Sequence, residues 1–372
     1  MGETESIDAL LAAALRGEAP AWPSELNGPA GIDRFVARTR YHGVAALTLP
    51  FSGEWPNEVR ARLRRHCLTQ AAWELRHRLL LERILKALSE RGVESLFLKG
   101  TALAYSVYSE PATRERADSD LLIRPRDLAA AQAALRDAGG RAPEGSDGAS
   151  LQESWQFAVA GVDHVLDLHW SAFNSEFLAP ILAVESCLDR ARRLDRLNPH
   201  ARMLGPAEFL LHVGIHRNMH RTAPYFSGGK AEFGADRLVW AVDIKLLAGS
   251  FGDGDWASFV ALARANEVSG AMREALEFGM RAAGATVPEL VLAELGATGQ
   301  GEQRSAYLLR AGRRKRALVN LRTSGGITAL ARQLRSLASP PEASLRARYP
   351  SLSRAPRFVL LARRLFDFVL AR

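Results

Sequence analysis

The sequence is poor in cysteine, in lysine and in long apolar runs. Its 372 residues include two cysteines, Cys67 and Cys187, which lack the spacing of a zinc site or of a disulfide framework. Five of the 49 basic residues are lysines. No apolar run approaches the roughly 20 residues of a membrane-spanning helix, and the acidic first residues form no hydrophobic signal core. We therefore expect a cytoplasmic protein without disulfides or a transmembrane segment.

Positive charge is concentrated near the end of the sequence. Residues 302–372 hold 16 Lys or Arg and 3 Asp or Glu, a balance of +13. The whole chain carries +8, so residues 1–301 carry −5. The last segment, from Arg357, has a broad apolar side and several arginines. Such a basic amphipathic helix can contact an anionic membrane surface, bind RNA or pack on its own domain.

One stretch, Leu96 to Ile123, carries most of the chemical information. It begins as a buried strand that ends at Gly100-Thr101, where the chain turns into a short helix predicted over Ala102 to Tyr108. A helix start of this kind points backbone N–H groups beyond the strand, where phosphate can bind. Lys99 adds a compact ammonium at the same place.

A second strand in this stretch contains Asp118 and Asp120. Side chains alternate along a strand, so both carboxylates share one face while Ser119 points to the other. Two carboxylates on one face repel each other unless a cation lies between them. Magnesium is the natural candidate, because it prefers oxygen ligands and often bridges carboxylates to phosphate oxygens.

The pattern Leu98-Lys99-Gly100-Thr101-Ala102-Leu103-Ala104, followed by a tyrosine, Arg114 and Asp118-Ser119-Asp120, resembles the uncharacterised nucleotidyltransferase family. That family belongs to the polymerase-beta-type superfamily, and the abortive-infection nucleotidyltransferase toxins look similar. Ala117 stands where the family usually has glycine, and Ser119 where it usually has an apolar residue.

The resemblance implies an α+β fold, with a nucleotidyltransferase core of a small mixed sheet and helices between N- and C-terminal helical domains. It implies transfer of a nucleoside monophosphate from a nucleoside triphosphate to an acceptor, with two Mg²⁺ ions. The implied nucleotide-binding residues include Lys99, Gly100, Thr101 and Arg114. The acceptor is open among small molecule, peptide, protein and RNA, as is the preferred nucleotide, with ATP among the candidates.

A predicted strand pair joined at Gly161 supplies another carboxylate. In its second strand Val165, Asp167 and His169 share one face. An Asp-x-His-Trp strand carries the third carboxylate of the family, so the resemblance implies that Asp167 joins Asp118 and Asp120 as a catalytic residue and metal ligand. A buried aspartate paired with a structural arginine is the alternative.

Three histidines, His212, His216 and His220, recur every fourth residue and so share one helical face. A zinc site is one interpretation, although no glutamate or cysteine accompanies them. The resemblance instead implies that this helix and the next, with Trp240 and Asp243, line the nucleotide cleft. His216 and Asp243 are the candidates for nucleotide binding.

The chain divides by pattern into four regions: residues 1–90, helical; 91–200, the nucleotidyltransferase core; 201–300, helical; and 301–372, the basic tail. The Arg- and Ala-rich composition suggests a bacterial source. Two other functions remain open. One is a catalytically inactive relative that binds nucleotide or a partner; the other is a nucleic-acid-binding protein that acts through its basic tail.

Overall fold

The structure is a computed structural model that describes residues 3–142, 150–221, 225–227, 230–232, 236–323 and 354–370, with residues 326, 330–331, 342, 345–346 and 349–352. The helices are α1 (Glu3–Leu15), α2 (Pro29–His42), α3 (Ala45–Thr48), α4 (Asn57–Ser89), α5 (Lys99–Ser106), α6 (Leu128–Asp137), α7 (Val184–Asp189), α8 (Pro206–His220), α9 (Leu238–Gly249), α10 (Asp253–Ala265), α11 (Ser269–Ala283), α12 (Glu289–Thr298), α13 (Gln303–Arg310), α14 (Arg313–Thr323) and α15 (Arg357–Leu370). The strands are β1 (Ser95–Leu98), β2 (Asp118–Ile123), β3 (Gln152–Val159), β4 (Val162–His169), β5 (Arg192–Arg193), β6 (Arg202–Met203), β7 (Tyr225–Ser227) and β8 (Lys230–Glu232).

Six strands form one mixed sheet in the order β3-β4-β2-β1-β6-β5. β2 is antiparallel to β1 and parallel to β4, whereas β3 and β4 form an antiparallel hairpin. The hairpin turn passes through Ala160 and Gly161, both with positive φ (48° and 76°). Strands β7 and β8 pair separately. A mixed sheet between groups of helices confirms the predicted α+β fold class.

The centre of the sheet is buried because helices cover it. All four residues of β1 are buried, as are five of the six in β2, the exception being Asp118 at its start. The long helix α4 lies against α6 and β3. Continuous apolar strands of this kind are expected where both faces of a sheet are covered.

One hydrophobic core extends through the described chain from Ile7 to Ala311, and a small separate cluster contains Leu345, Tyr349 and Leu360. Helices α8 to α11 pack on one another. The four regions predicted from the sequence share the main core, and their boundaries stay a prediction. Within the described residues, no helix is both long enough and apolar enough to cross a membrane.

Candidate active site

The turn from β1 into α5 begins at Lys99. Its backbone has a φ of 47°, a left-handed conformation that is uncommon for a residue with a side chain. The helix starts here, three residues earlier than the sequence indicates, and ends at Ser106. Gly100 follows, and a Cβ there would lie 3.3 Å from the side chain of Arg116. The turn therefore packs tightly, and it directs Lys99 toward the neighbouring strand β2.

Strands β2 and β4 bring the predicted carboxylates together. Asp120 lies opposite Asp167 in the parallel register, and His169 lies two residues further along β4. Donor atoms of Asp120, Asp167 and His169 all lie within 4.8 Å of one another. We call Asp118, Asp120 and Asp167 the carboxylate cluster. All three predicted catalytic aspartates thus lie on two adjacent strands.

Asp120 is the centre of this cluster. Its Oδ1 accepts hydrogen bonds from the Lys99 ammonium and from His169 Nε2, the latter at 2.9 Å. Burial would raise the pKa of Asp120, but Lys99 and His169 outweigh it and hold that pKa below its usual range. Burial lowers the pKa of His169, so its ring is neutral and donates from Nε2. Asp120 is therefore ionised.

The other two carboxylates are harder to ionise. Asp118 is exposed at the start of β2, although protein surrounds much of its carboxyl group. Burial and the charges of Asp120 and Asp167 raise its pKa to about 6. Asp167 accepts hydrogen bonds from Ser154 Oγ and, at 3.2 Å, from Gln152 Nε2. Burial and Asp120 raise its pKa as well. The carboxylate cluster thus carries unfavourable negative charge.

This donor set fits magnesium. Carboxylate oxygens are the ligands that this hard cation prefers, and it is often held by one or two carboxylates together with substrate phosphates. The Lys99 ammonium forms an ion pair with Asp120, which indicates that the cluster attracts positive charge. A neutral imidazole, such as His169, is a softer ligand that suits zinc, copper or iron better.

Thr101 lies behind the carboxylate face. Its hydroxyl is buried and bonds Ser119 Oγ at 2.6 Å, and it accepts from Arg116 Nε at 3.1 Å. Ser119 in turn bonds His77 Nε2 of α4, also at 2.6 Å. Arg116 is paired with Glu74. The polar Ser119 therefore belongs to a buried hydrogen-bonded network. The hydroxyl of Thr101 makes its hydrogen bonds within this network.

Arg114 and Asp243 meet in a buried ion pair. The guanidinium donates from Nε and Nη2 to the two carboxylate oxygens of Asp243, each at 2.7 Å, and Tyr108 donates its hydroxyl to the same carboxylate at 2.7 Å. Their side chains are 8% and 1% exposed. The pair fixes the chain just before β2 against α9, and both charges are neutralised within it.

The histidines of α8 form a ladder beside the site. The rings of His212 and His216 are 6.5 Å apart, and those of His216 and His220 are 4.4 Å apart. Burial lowers the pKa of all three, and the positive charge of Lys99 adds to this effect. Among described side chains, the one compact set of three metal-ligating groups is Asp120, Asp167 and His169. Among the described side chains, the three histidines are thus not part of such a set, and His216 lies near Lys99.

Sequence reasoning missed the part played by His169 and by α4. His169 follows Asp167 by two residues, so the alternation of the strand did place both on one face. Its bond to Asp120 crosses to another strand and leaves no local signal. Glu74 and His77 come from a helix whose functional content the sequence did not indicate.

Comparison with known families adds one match. A family model described as uncharacterised nucleotidyltransferase matches residues 29–283, which is more than half of the chain. The matched segment extends from the first residue of α2 to the last of α11 and contains the whole carboxylate cluster. No curated protein matches the chain.

Proposed function

The chain belongs to the uncharacterised nucleotidyltransferase family, and on this premise we propose that it moves a nucleoside monophosphate from a nucleoside triphosphate to an acceptor. Pyrophosphate leaves, and Mg²⁺ is the cofactor, with two ions in the site. The observation that carries the proposal is the compact group of Asp120, Asp167 and His169 with the Lys99 ammonium on Asp120, and Asp118 stands two residues before Asp120 on the same strand.

Asp118, Asp120 and Asp167 would hold the magnesium ions, which would supply positive charge where negative charge develops during transfer. Lys99 and the N–H groups of Gly100 and Thr101 bind the triphosphate. Of the other residues predicted to bind nucleotide, His216 lines the cleft. Arg114 and Asp243 act indirectly, because their ion pair holds the segment before β2 against α9.

The chemical step needs a proton acceptor. An acceptor hydroxyl oxygen bonds to the α-phosphorus, and the bond between that phosphorus and the pyrophosphate oxygen breaks. Asp167 takes the hydroxyl proton. The carboxylate of Asp167 is positioned for this role by two side chains of β3. Ser154 and Gln152 hold it in place.

The test is incubation with labelled ATP, CTP, GTP and UTP, MgCl₂ and cell extract, followed by identification of the labelled product. The product shows whether the acceptor is a small molecule, a peptide, a protein or RNA. We expect Asp167→Asn to lower transfer at least a hundredfold. Asp163→Asn, on the exposed end of the same strand, should leave it unchanged. Equal activity of the two variants would refute the assignment.

The basic tail and the location belong to the same proposal. We place the enzyme in the bacterial cytoplasm and expect residues 302–372 to contact an anionic surface. Arg304 and Arg316 already donate to backbone carbonyls of the folded core. The contact would therefore use other basic residues of the tail.

A further inference from the structure

We propose that Lys99 is a built-in counter-cation of the carboxylate cluster: its ammonium holds Asp120 while the metal is absent and leaves when the metal binds. The inference rests on the proposed magnesium function and adds a step to it. It concerns the order in which one site binds its metal and its nucleotide.

The first argument is competition for one oxygen atom. Asp120 Oδ1 accepts from Lys99 and from His169 together, so its lone pairs are used. The Lys99 ammonium forms an ion pair with the carboxylate of Asp120. A divalent cation on the same carboxylate would lie next to that charge. Because like charges repel strongly in a partly dry site, the ammonium and the ion exclude each other.

The second argument is that Lys99 can leave. Its side chain is 21% exposed, whereas that of Asp120 is 4% exposed, so Lys99 borders solvent and Asp120 does not. The four-carbon stem is flexible and needs no change of the backbone to swing outward. The left-handed backbone at Lys99 directs the stem toward β2 at the start of α5. Release therefore requires only side-chain rotation.

The third argument concerns what the released ammonium does. Lys99 stands where the proposed function places the triphosphate, at the turn before α5. Once metal has displaced it from Asp120, it is free to pair with phosphate oxygens. Metal binding thereby frees the Lys99 ammonium to bind the phosphates of the nucleotide. A nucleotide that binds without metal would itself have to break the Lys99–Asp120 ion pair.

Chemical labelling of lysine tests the displacement directly. The chain has five lysines, so a pulse of an acetylating reagent followed by mass spectrometry resolves each site. We expect MgCl₂ to raise the labelling rate of Lys99 at least fivefold, and Mg²⁺ with a nucleoside triphosphate to lower it again. Lys86, whose side chain is 79% exposed, is the internal control and should not respond. In Asp120→Asn, Lys99 should label rapidly without metal.

Calorimetric titration with Mg²⁺ at pH 8 gives a second readout. Lys99→Met should bind Mg²⁺ roughly tenfold more tightly than the wild type, because the ion no longer breaks a charge-assisted hydrogen bond. Unchanged or weaker binding by a folded Lys99→Met protein would overturn the inference, as would Mg²⁺ binding that leaves Lys99 labelling unchanged. In both cases the magnesium function survives. If neither protein binds Mg²⁺, the inference and the proposed metal fail together.

Discussion

The buried pair of Arg114 and Asp243 allows a sharp prediction about what these two residues do. Both were predicted from the family resemblance to bind nucleotide, and the structure pairs them with each other at 2.7 Å. We predict that Asp243→Asn destabilises the protein strongly. The amide cannot neutralise the guanidinium, and its NH₂ group would face another donor where a carboxylate oxygen now accepts.

The magnitude follows from the burial of the pair. With side chains 8% and 1% exposed, neither charge has water as a substitute partner. Removing one member of such a pair typically costs about 3–5 kcal/mol, because the other charge is left buried without compensation. The total stability of a domain is roughly 5–15 kcal/mol. The variant should thus lose a large part of its free energy of unfolding.

Equilibrium urea denaturation measures this loss. The matched control is Asp195→Asn, since Asp195 pairs with Arg193 at the surface, where the two side chains are 63% and 68% exposed. It should cost less than about 1 kcal/mol. The triple variant Arg114→Met, Asp243→Leu, Tyr108→Phe removes the whole polar group and should recover most of the stability. A loss below about 1 kcal/mol in Asp243→Asn would refute the reasoning.

Two further predictions concern β2. Because the pKa of Asp118 is raised from 3.8 to about 6 in the folded protein, its ionisation destabilises the metal-free fold as pH rises between these values. Asp118→Asn should therefore raise the melting temperature at pH 8, with a gain that shrinks at pH 5; a gain independent of pH would contradict this cause. Ser119→Val restores an apolar residue but removes the partner of His77 Nε2 and one of the two partners of the Thr101 hydroxyl, so it should cost about 1–3 kcal/mol in urea unfolding. A variant as stable as the wild type would show that the network does not hold the strand.

The local part of the site could be predicted from the sequence because strands have a two-residue period. Asp118 and Asp120 lie two residues apart on one strand and so share one of its faces. Asp167 and His169 share a face of a second strand for the same reason. The pairing of these strands places Asp120 opposite Asp167. Nothing local specifies this register, and the family resemblance alone connected the two strands beforehand.

Contacts between residues far apart in the sequence could not be predicted for the same reason, since no local pattern specifies them. Arg114 and Asp243 are 129 residues apart, and the bond between His169 and Asp120 spans 49 residues. Each residue could be singled out, but only the packed structure shows that Arg114 uses its charge on Asp243. The sequence likewise does not explain why residue 119 is a polar serine. The structure does, because α4 places His77 where it bonds the Ser119 hydroxyl.

The positive charges around β2 are unevenly distributed between its two faces. Behind the strand, Arg116 is paired with Glu74, and burial keeps His77 neutral by lowering its pKa well below the usual value. Before the strand, Arg114 is neutralised by Asp243. Among the residues that the structure describes, Lys99 is the cation in contact with the carboxylate cluster. Without metal, three aspartates face one ammonium, so the cluster becomes net negative as its carboxyl groups ionise, and divalent cations are the ligands that such a cluster binds.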